Sequence, residues 1–433
     1  MRTTGRFFHG WVVAAAAFVF MVAVWGAYYS FGVYFKPVSG DFGWSRTITS
    51  GAFSTYMVLH GFVAIFAGRF TDRYGPRLVT TACALFLALG YGLMSQISSL
   101  WQLYLFYGVI IGVGMSGAYV SPVSVVTRWF EKSRGLVLGV VICGVGIGTV
   151  LFPPIATYII TTYSWRTAYL LTAIAILVLG VGSAYFLKRD PRDMGLLPYG
   201  ATAEKKTEPG AKTGARASAR PELSTQEALH TPAFWQLFTS YFLCLVCLEM
   251  IMVHLVPHAT DIGISAATAA LFLSLIGVGS IVGRIAGGMI SDRIGSKVNI
   301  ALWTIVQGIA GLSLLVIREP WMFYTFAAVF GLGYGGWTPA FPALIGELFG
   351  MKAHGVIFGI IIFAATIGGA AGSLTAGFVF DITRSYAWAF IVAAVANILA
   401  GLVSLAIRQP QKKAAPELES VPAESGVVHP TDK

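Results

Sequence analysis

Charge is scarce in this chain: only 11% of its 433 residues are Asp, Glu, Lys or Arg, against roughly 25% in an ordinary soluble domain. Such scarcity excludes most enzyme chemistry. The apolar stretches hold too few ionisable groups to converge an acid, a base and a nucleophile, so the chain is not expected to be an enzyme. No G-x-x-x-x-G-K-[ST] loop occurs, which removes direct use of ATP. The four cysteines, Cys83, Cys143, Cys244 and Cys247, all lie inside apolar runs, where they read as small hydrophobes and not as disulfides. Cys244 and Cys247 have C-x-x-C spacing but lack a second ligand pair, so no metal or cofactor is expected. The net charge of +10 does not indicate nucleic acid, because the basic residues are scattered between apolar blocks.

Apolar residues dominate instead, at 56% with a mean hydropathy of +0.74. A helix crossing the hydrocarbon core needs about 20 apolar residues. Hydropathy and turn punctuation divide the chain into twelve blocks, 10–35, 47–70, 78–97, 100–128, 135–163, 166–188, 233–258, 265–290, 298–317, 321–349, 355–382 and 386–407. The expected fold is an all-α membrane protein of twelve transmembrane helices in two six-helix, pseudo-symmetric halves. Residues 1–188 form the first bundle, 189–231 a polar cytoplasmic linker, 232–408 the second bundle, and 409–433 a disordered cytoplasmic tail. The first block is too long for a signal-peptide core, and no cleavable signal is expected. With the N-terminus inside, all but six of the 29 Lys and Arg fall in cytoplasmic segments; Lys36, Arg46, Arg166, Arg318 and Arg384 face outward and Arg284 lies within a span. That asymmetry places both termini in the cytoplasm.

An internal repeat carries the architecture. Gly68-Arg69-Phe70-Thr71-Asp72-Arg73-Tyr74-Gly75-Pro76-Arg77 recurs 220 residues on as Gly288-Met289-Ile290-Ser291-Asp292-Arg293-Ile294-Gly295-Ser296-Lys297. The glycines of the fourth span, Gly112, Gly114 and Gly117, have counterparts in Gly331, Gly333 and Gly336 of the tenth. Gly135, Gly139 and Gly148 have theirs in Gly355, Gly359 and Gly368. The same topology repeated six spans later gives two parallel halves about an axis along the membrane normal. Asp72, Arg73, Asp292 and Arg293 sit at the cytoplasmic mouth, where charges that pair in one conformation and part in another form a latch. The other glycines of spans four and five, Gly144, Gly146 and Gly148 with Gly112, Gly114 and Gly117, read as helix-packing points.

The doubled G-x-x-x-D-R-x-G-x-[RK] loop resembles the signature of the major facilitator superfamily. Nearly the whole chain is similar to one branch of it. Trp129-Phe130-Glu131-Lys132-Ser133-Arg134-Gly135-Leu136 looks like the fourth-to-fifth loop of the monocarboxylate transporter family and of the related oxalate/formate antiporters. Arg189-Asp190-Pro191-Arg192-Asp193-Met194-Gly195-Leu196-Leu197-Pro198 and His254-Leu255-Val256-Pro257-His258-Ala259-Thr260-Asp261-Ile262-Gly263 resemble bacterial members of that group.

An ionisable side chain inside a span costs at least about 2.5–3.5 kcal/mol to bury and therefore marks function. Arg284 lies about 12 Å above the cytoplasmic loop at 1.5 Å per residue, too deep to reach water easily. Its planar guanidinium matches a carboxylate, and the flanking Gly283 and Gly287 are expected to leave room beside it. The resemblance implies the same role, since the matching arginine of the family binds the substrate carboxylate. The resemblance also breaks in two places: Ser280 stands where animal monocarboxylate transporters have an aspartate, and Tyr29 stands near the place of their first-span lysine. The eleventh span has no lysine, unlike the oxalate/formate exchangers. One buried positive charge favours one carboxylate over two. Tyr28, Tyr29, Tyr119 and Tyr334 offer hydroxyls at cavity depth, and Phe363 and Thr366 occupy lining positions by resemblance. Helix packing is an equal alternative for each of these.

Glu249 is a candidate proton carrier in mid-span. It lies roughly 15 Å nearer the outer face than Arg284 by helical rise, so no direct salt bridge is expected, and a structural carboxyl is the competing reading. His254 and His258 read as packing groups or as a pH-sensing gate. The expected function is proton-coupled secondary transport of a small monocarboxylate such as lactate or pyruvate, by alternating access. The protein would act as a monomer in the inner (plasma) membrane. An oxalate/formate-type exchanger, or an exporter of another small organic anion, is the alternative; a transport-like receptor is the rival outside the class.

Overall fold

The computed structural model describes residues 8–131, 134–200, 223–350 and 353–408, without the side chains of Asp72 and Arg134. Within them the chain is helical, and the one extended pairing is the bridge between Phe130 and Tyr199. Twelve helical stretches follow in order: α1 Gly10–Phe42, α2 Arg46–Tyr74, α3 Pro76–Met94, α4 Leu100–Trp129, α5 Arg134–Thr162, α6 Trp165–Phe186, α7 Pro232–Asp261, α8 Ala266–Ile294, α9 Ser296–Ser313, α10 Pro320–Trp337 continued by Ala340–Phe349, α11 His354–Thr383 and α12 Ala387–Ala406. All but α9 and α10 are long and apolar enough to cross a membrane. Helix α9 carries Lys297, Asn299 and Gln307, and α10 is interrupted at Thr338-Pro339. The matching interruption of α4 falls at 116–119. Helix α1 runs past the expected end at Phe35, because Lys36 and Pro37 continue it after a break at Ser30.

The repeat appears in backbone geometry as well as in residue identity. Ser45 and Ser265, 220 residues apart, accept from the amides of Ile48 and Thr268 and start α2 and α8, as N-cap serines do. Gly75 and Gly295 end those helices at φ/ψ of 86°/155° and 84°/153°. Only glycine adopts that region without a Cβ clash. The two signature loops are therefore the same turn built twice.

Two seams join the halves: α2 packs along α11 and α5 along α8. They are closed at one end only. A Cβ on Gly146 would strike Ile281 and the Gly277 carbonyl, and one on Gly61 would strike Thr366. Two and three turns toward the linker, on the same helical faces, Gly139 and Gly135 of α5 and Gly359 and Gly355 of α11 meet nothing within 4 Å. The halves thus separate toward the end that bears the 68–77 and 288–297 loops.

Polar contacts fasten the far end. The Asp381 carboxylate of α11 accepts from the backbone amides of Arg46 (3.0 Å) and Thr47 (2.8 Å), capping α2 from the other half. The Arg46 guanidinium pairs with Asp261 at 2.7 Å and lies 3.5 Å from the Phe380 ring centroid. Lys36 joins the same carboxylate at 2.9 Å. Arg46 is only 14% exposed, so this network is less screened than a surface pair.

Within the halves, glycines set the helix spacing as expected. A Cβ on Gly148 would come within 2.4 Å of the Val22 carbonyl of α1 and 2.7 Å of the Gly26 nitrogen. Both neighbours are backbone, which cannot rotate away. Gly148→Ala should therefore cost about 1–3 kcal/mol by overpacking and lower the midpoint of a thermal scan in detergent, whereas Gly139→Ala should not. Equal midpoints for the two variants would refute this account of the α1–α5 seam.

Candidate functional site

Arg284 lies on α8 facing α10 and α1. Its flanking glycines do not open space beside it, contrary to expectation. A Cβ on Gly283 would sit 2.3 Å from the Leu332 carbonyl and one on Gly287 2.2 Å from that of Gly336. They let α8 and α10 touch backbone to backbone, and Gly335 completes the contact against Ser280 and Arg284. That proximity brings Tyr334 of α10 to the guanidinium: Arg284 Nη2 donates to its hydroxyl at 3.3 Å, and the ring centroid lies 5.3 Å from Cζ.

Tyr334 in turn meets Tyr29 of α1, hydroxyl to hydroxyl at 2.8 Å, across the two halves. Arginine only donates, so the Tyr334 oxygen accepts from Arg284, while either hydroxyl can be the donor in its bond to Tyr29. Arg284 Nε and Nη1 are buried with no hydrogen-bond partner, and no carboxylate forms an ion pair with the guanidinium among the described residues. A buried cation in that condition is strongly disposed to take up an anion.

Aromatic rings enclose this charge. Tyr119, at the interruption of α4, and Tyr29 both lie within electrostatic reach of Arg284. Trp25, one turn before Tyr28 and Tyr29 on α1, stands against three of these rings, with centroids 5.3 Å from Tyr28, 6.1 Å from Tyr29 and 6.3 Å from Tyr119. Its Nε1 is buried and unpartnered. In the sequence, the only sign of this arrangement is the i, i+3, i+4 spacing of Trp25 with Tyr28 and Tyr29.

Other candidates lie elsewhere. Ser280 is buried and donates to the Gly277 carbonyl of its own helix at 2.8 Å. Thr366 donates to the Phe363 carbonyl, and both residues pack on Gly61 of α2 in the α2–α11 seam. Tyr28 directs its hydroxyl to Met57 Sδ at 3.4 Å and faces Glu249. Glu249 is 2% exposed, rests on Gly369 and Met57, and its Oε2 has no partner. Among the described residues it makes no ion pair with Arg284, as the helical rise predicts; Tyr29 lies within reach of both charges.

His254 bonds Tyr386 through Nδ1 and the Ser373 carbonyl through Nε2, each at 3.0 Å. A carbonyl can only accept, so Nε2 carries the proton and Nδ1 accepts from the tyrosine, tying α7 to α11 and α12. His258 packs its ring on Phe390 with centroids 4.9 Å apart. Among the latch residues, the Asp72 side chain lies outside the described residues. Arg73 lies over the Tyr74 ring at 5.3 Å, and Asp292 and Arg293 are exposed. The second loop is held to its own half by Ser296, which donates to Glu347 at 2.7 Å. A separate crevice of about 310 Å³, between α1, α5 and α7 at the far end, is lined by Val33, Pro37, Ile160 and Val256 with Lys36 beside it. That Lys36 is already paired to Asp261, so the crevice offers no free cation comparable to Arg284.

Comparisons with known proteins agree with this geometry. The sequence profile described as Major Facilitator Superfamily matches residues 13–320 and again 237–429. The chain is 28% identical to monocarboxylate transporter 13 of Rattus norvegicus, over 90% of this chain and 87% of that protein. It is 23% identical to the oxalate:formate antiporter of Oxalobacter formigenes, over 92% and 91%. In fold it is similar to an inward-facing, unoccupied bacterial homolog of the human lysosomal transporter Spinster, with a TM-score of 0.70, 15% identity, and coverage of 94% of this chain and all of that one. With its two six-helix halves and repeated signature loop, this chain is a multi-pass membrane transporter that belongs to the Major Facilitator Superfamily.

Proposed function

We propose that this protein carries a small monocarboxylate of the lactate or pyruvate kind across the cell's inner membrane, coupled to protons, by alternating access. The observation that carries this reading is Arg284: a buried guanidinium with two unpartnered nitrogens and no counter-ion among the described residues. A carboxylate meets a guanidinium through two parallel charge-assisted hydrogen bonds, each worth about 1.5–3 kcal/mol. The names of two relatives, a monocarboxylate transporter and an oxalate:formate antiporter, support a carboxylate cargo. Exchange of a dianion is the second reading. The single cation in this enclosure favours a single negative charge.

The two ends of the molecule supply the gates. The Arg46–Asp381–Asp261 network holds the outer end shut in the present state, while the linker end, taken as cytoplasmic from its basic loops, stands open. Transport reverses this: the outer network parts, and the repeated loops with Asp72, Arg73, Asp292 and Arg293 close the inner end. Glu249 is the proposed proton carrier. It is buried in α7 beside Tyr28, with one carboxyl oxygen that no described residue engages, and Tyr29 lies within reach of both it and Arg284. Monomeric action with both termini cytoplasmic completes the reading.

Three outcomes test it. Arg284→Ala should cost about 2–5 kcal/mol in carboxylate affinity, at least a 30-fold loss of lactate uptake into proteoliposomes, while the variant still elutes as a folded species. Uptake that survives the substitution ends the carboxylate-site reading. Glu249→Gln should abolish uptake driven by an inward proton gradient yet keep lactate–lactate counterflow; unchanged gradient-driven uptake removes Glu249 from the coupling. Arg46→Ala should favour the outward-open state, so that an outside-applied, membrane-impermeant maleimide labels Ser54→Cys faster than in the Arg46 background. Equal labelling rates would show that the network is not the outer gate.

A further inference from the structure

The proposed site contains a second recognition point that a plain carboxylate does not use. Trp25 Nε1 is a buried donor with no acceptor among the described residues. Indole nitrogen only donates, and a buried donor left unmatched costs about 1–3 kcal/mol, which is why native structures seldom keep one without a reason. The surrounding hydroxyls do not relieve it. Tyr29 is engaged with Tyr334 at 2.8 Å and Tyr28 with Met57 Sδ at 3.4 Å.

Three unmatched polar atoms near Arg284 share one sign, with the Glu249 Oε2 acceptor set apart beside Tyr28. Arg284 Nε, Arg284 Nη1 and Trp25 Nε1 are all N–H donors. They belong to one enclosure, because Tyr29 and Tyr119 stand against the Trp25 ring and also lie within reach of the Arg284 charge. A ligand that satisfies all three must bring acceptors to both places. A carboxylate alone serves the guanidinium and leaves the indole unmatched. A carboxylate with an oxygen on the adjacent carbon, a keto or hydroxy group, brings the extra acceptor within the same short molecule. It carries one negative charge, and Arg284 supplies one positive charge.

Resting on the carboxylate reading of Arg284, we propose that Trp25 donates its indole N–H to the C2 oxygen of the substrate, so that the protein selects 2-oxo and 2-hydroxy monocarboxylates over unsubstituted ones. Trp25 belongs to α1 and Arg284 to α8, so such a substrate bridges the two halves. Its C2 oxygen is then read by the half that lacks the charge, and an acid without that oxygen engages only one side of the moving interface.

The test uses the full-length protein in proteoliposomes with radiolabelled pyruvate, L-lactate and propionate, the last having the same carbon skeleton without the C2 oxygen. The wild-type protein should take up pyruvate and lactate with kcat/KM about tenfold or more above propionate, as one matched buried hydrogen bond provides. In Trp25→Phe, which keeps an aromatic ring but loses the donor, the pyruvate-to-propionate ratio should fall toward one. A wild-type protein that does not discriminate overturns the proposal without any variant. A ratio unchanged in Trp25→Phe overturns it equally, assigning Trp25 to packing. Arg284→Ala separates the two claims. If propionate uptake depends on Arg284 while the ratio ignores Trp25, only the C2 contact fails; if uptake of all three acids survives without Arg284, or the wild type carries none of them, the underlying carboxylate reading fails with it.

Discussion

A single cation held in an interior almost without charge is the constraint on which the rest of this structure depends. Placing a guanidinium there costs at least about 2.5–3.5 kcal/mol, and no carboxylate among the described residues pairs with it. The protein lowers that cost with geometry. Three glycines draw α8 and α10 into backbone contact, which brings the Tyr334 hydroxyl to Arg284, and the Tyr334–Tyr29 bond then extends the polar contact into the other half. The result is a cation only partly satisfied by protein, and an anion can supply what is left.

The two halves share a frame but not a chemistry. Ser45 and Ser265 cap, and Gly75 and Gly295 terminate, two helices related by the same offset of 220 residues. On that offset the counterpart of Arg284 is Ala64. The first half instead contributes aromatic rings and hydroxyls from α1 and α4. Duplication thus accounts for the shared scaffold, and divergence of a few inward-facing positions accounts for the candidate site.

What could be read from the sequence follows from the reach of each interaction. Blocks of apolar residues, cap serines and the doubled loop act locally, so the helices and their pseudo-symmetry were legible. So was Arg284, because burying a charge is unfavourable wherever the helix is placed. Helix ends were less so: α1 continues through Lys36-Pro37 although hydropathy drops there, and α10 breaks at Thr338-Pro339 although it does not. Contacts between helices were least legible. Gly283 and Gly287 read as space beside the arginine, whereas the fold uses them to admit α10. Ser280 points its hydroxyl back to its own helix, and Phe363 and Thr366 fill a seam. Trp25 is not singled out by the sequence, and its unmatched nitrogen becomes visible only in three dimensions.

The carboxylate of Asp381 has a consequence beyond fastening the far end, away from the repeated loops. It satisfies the first two amides of α2 from a different half of the molecule, while the matching start of α8 relies on its own Ser265. The first turn of α2 is therefore partly folded by a neighbour. Were the halves to part at that end, those amides would pass to water and the turn would lose its anchor. Helical order at Arg46 and Thr47 is thereby tied to the contact between the two halves.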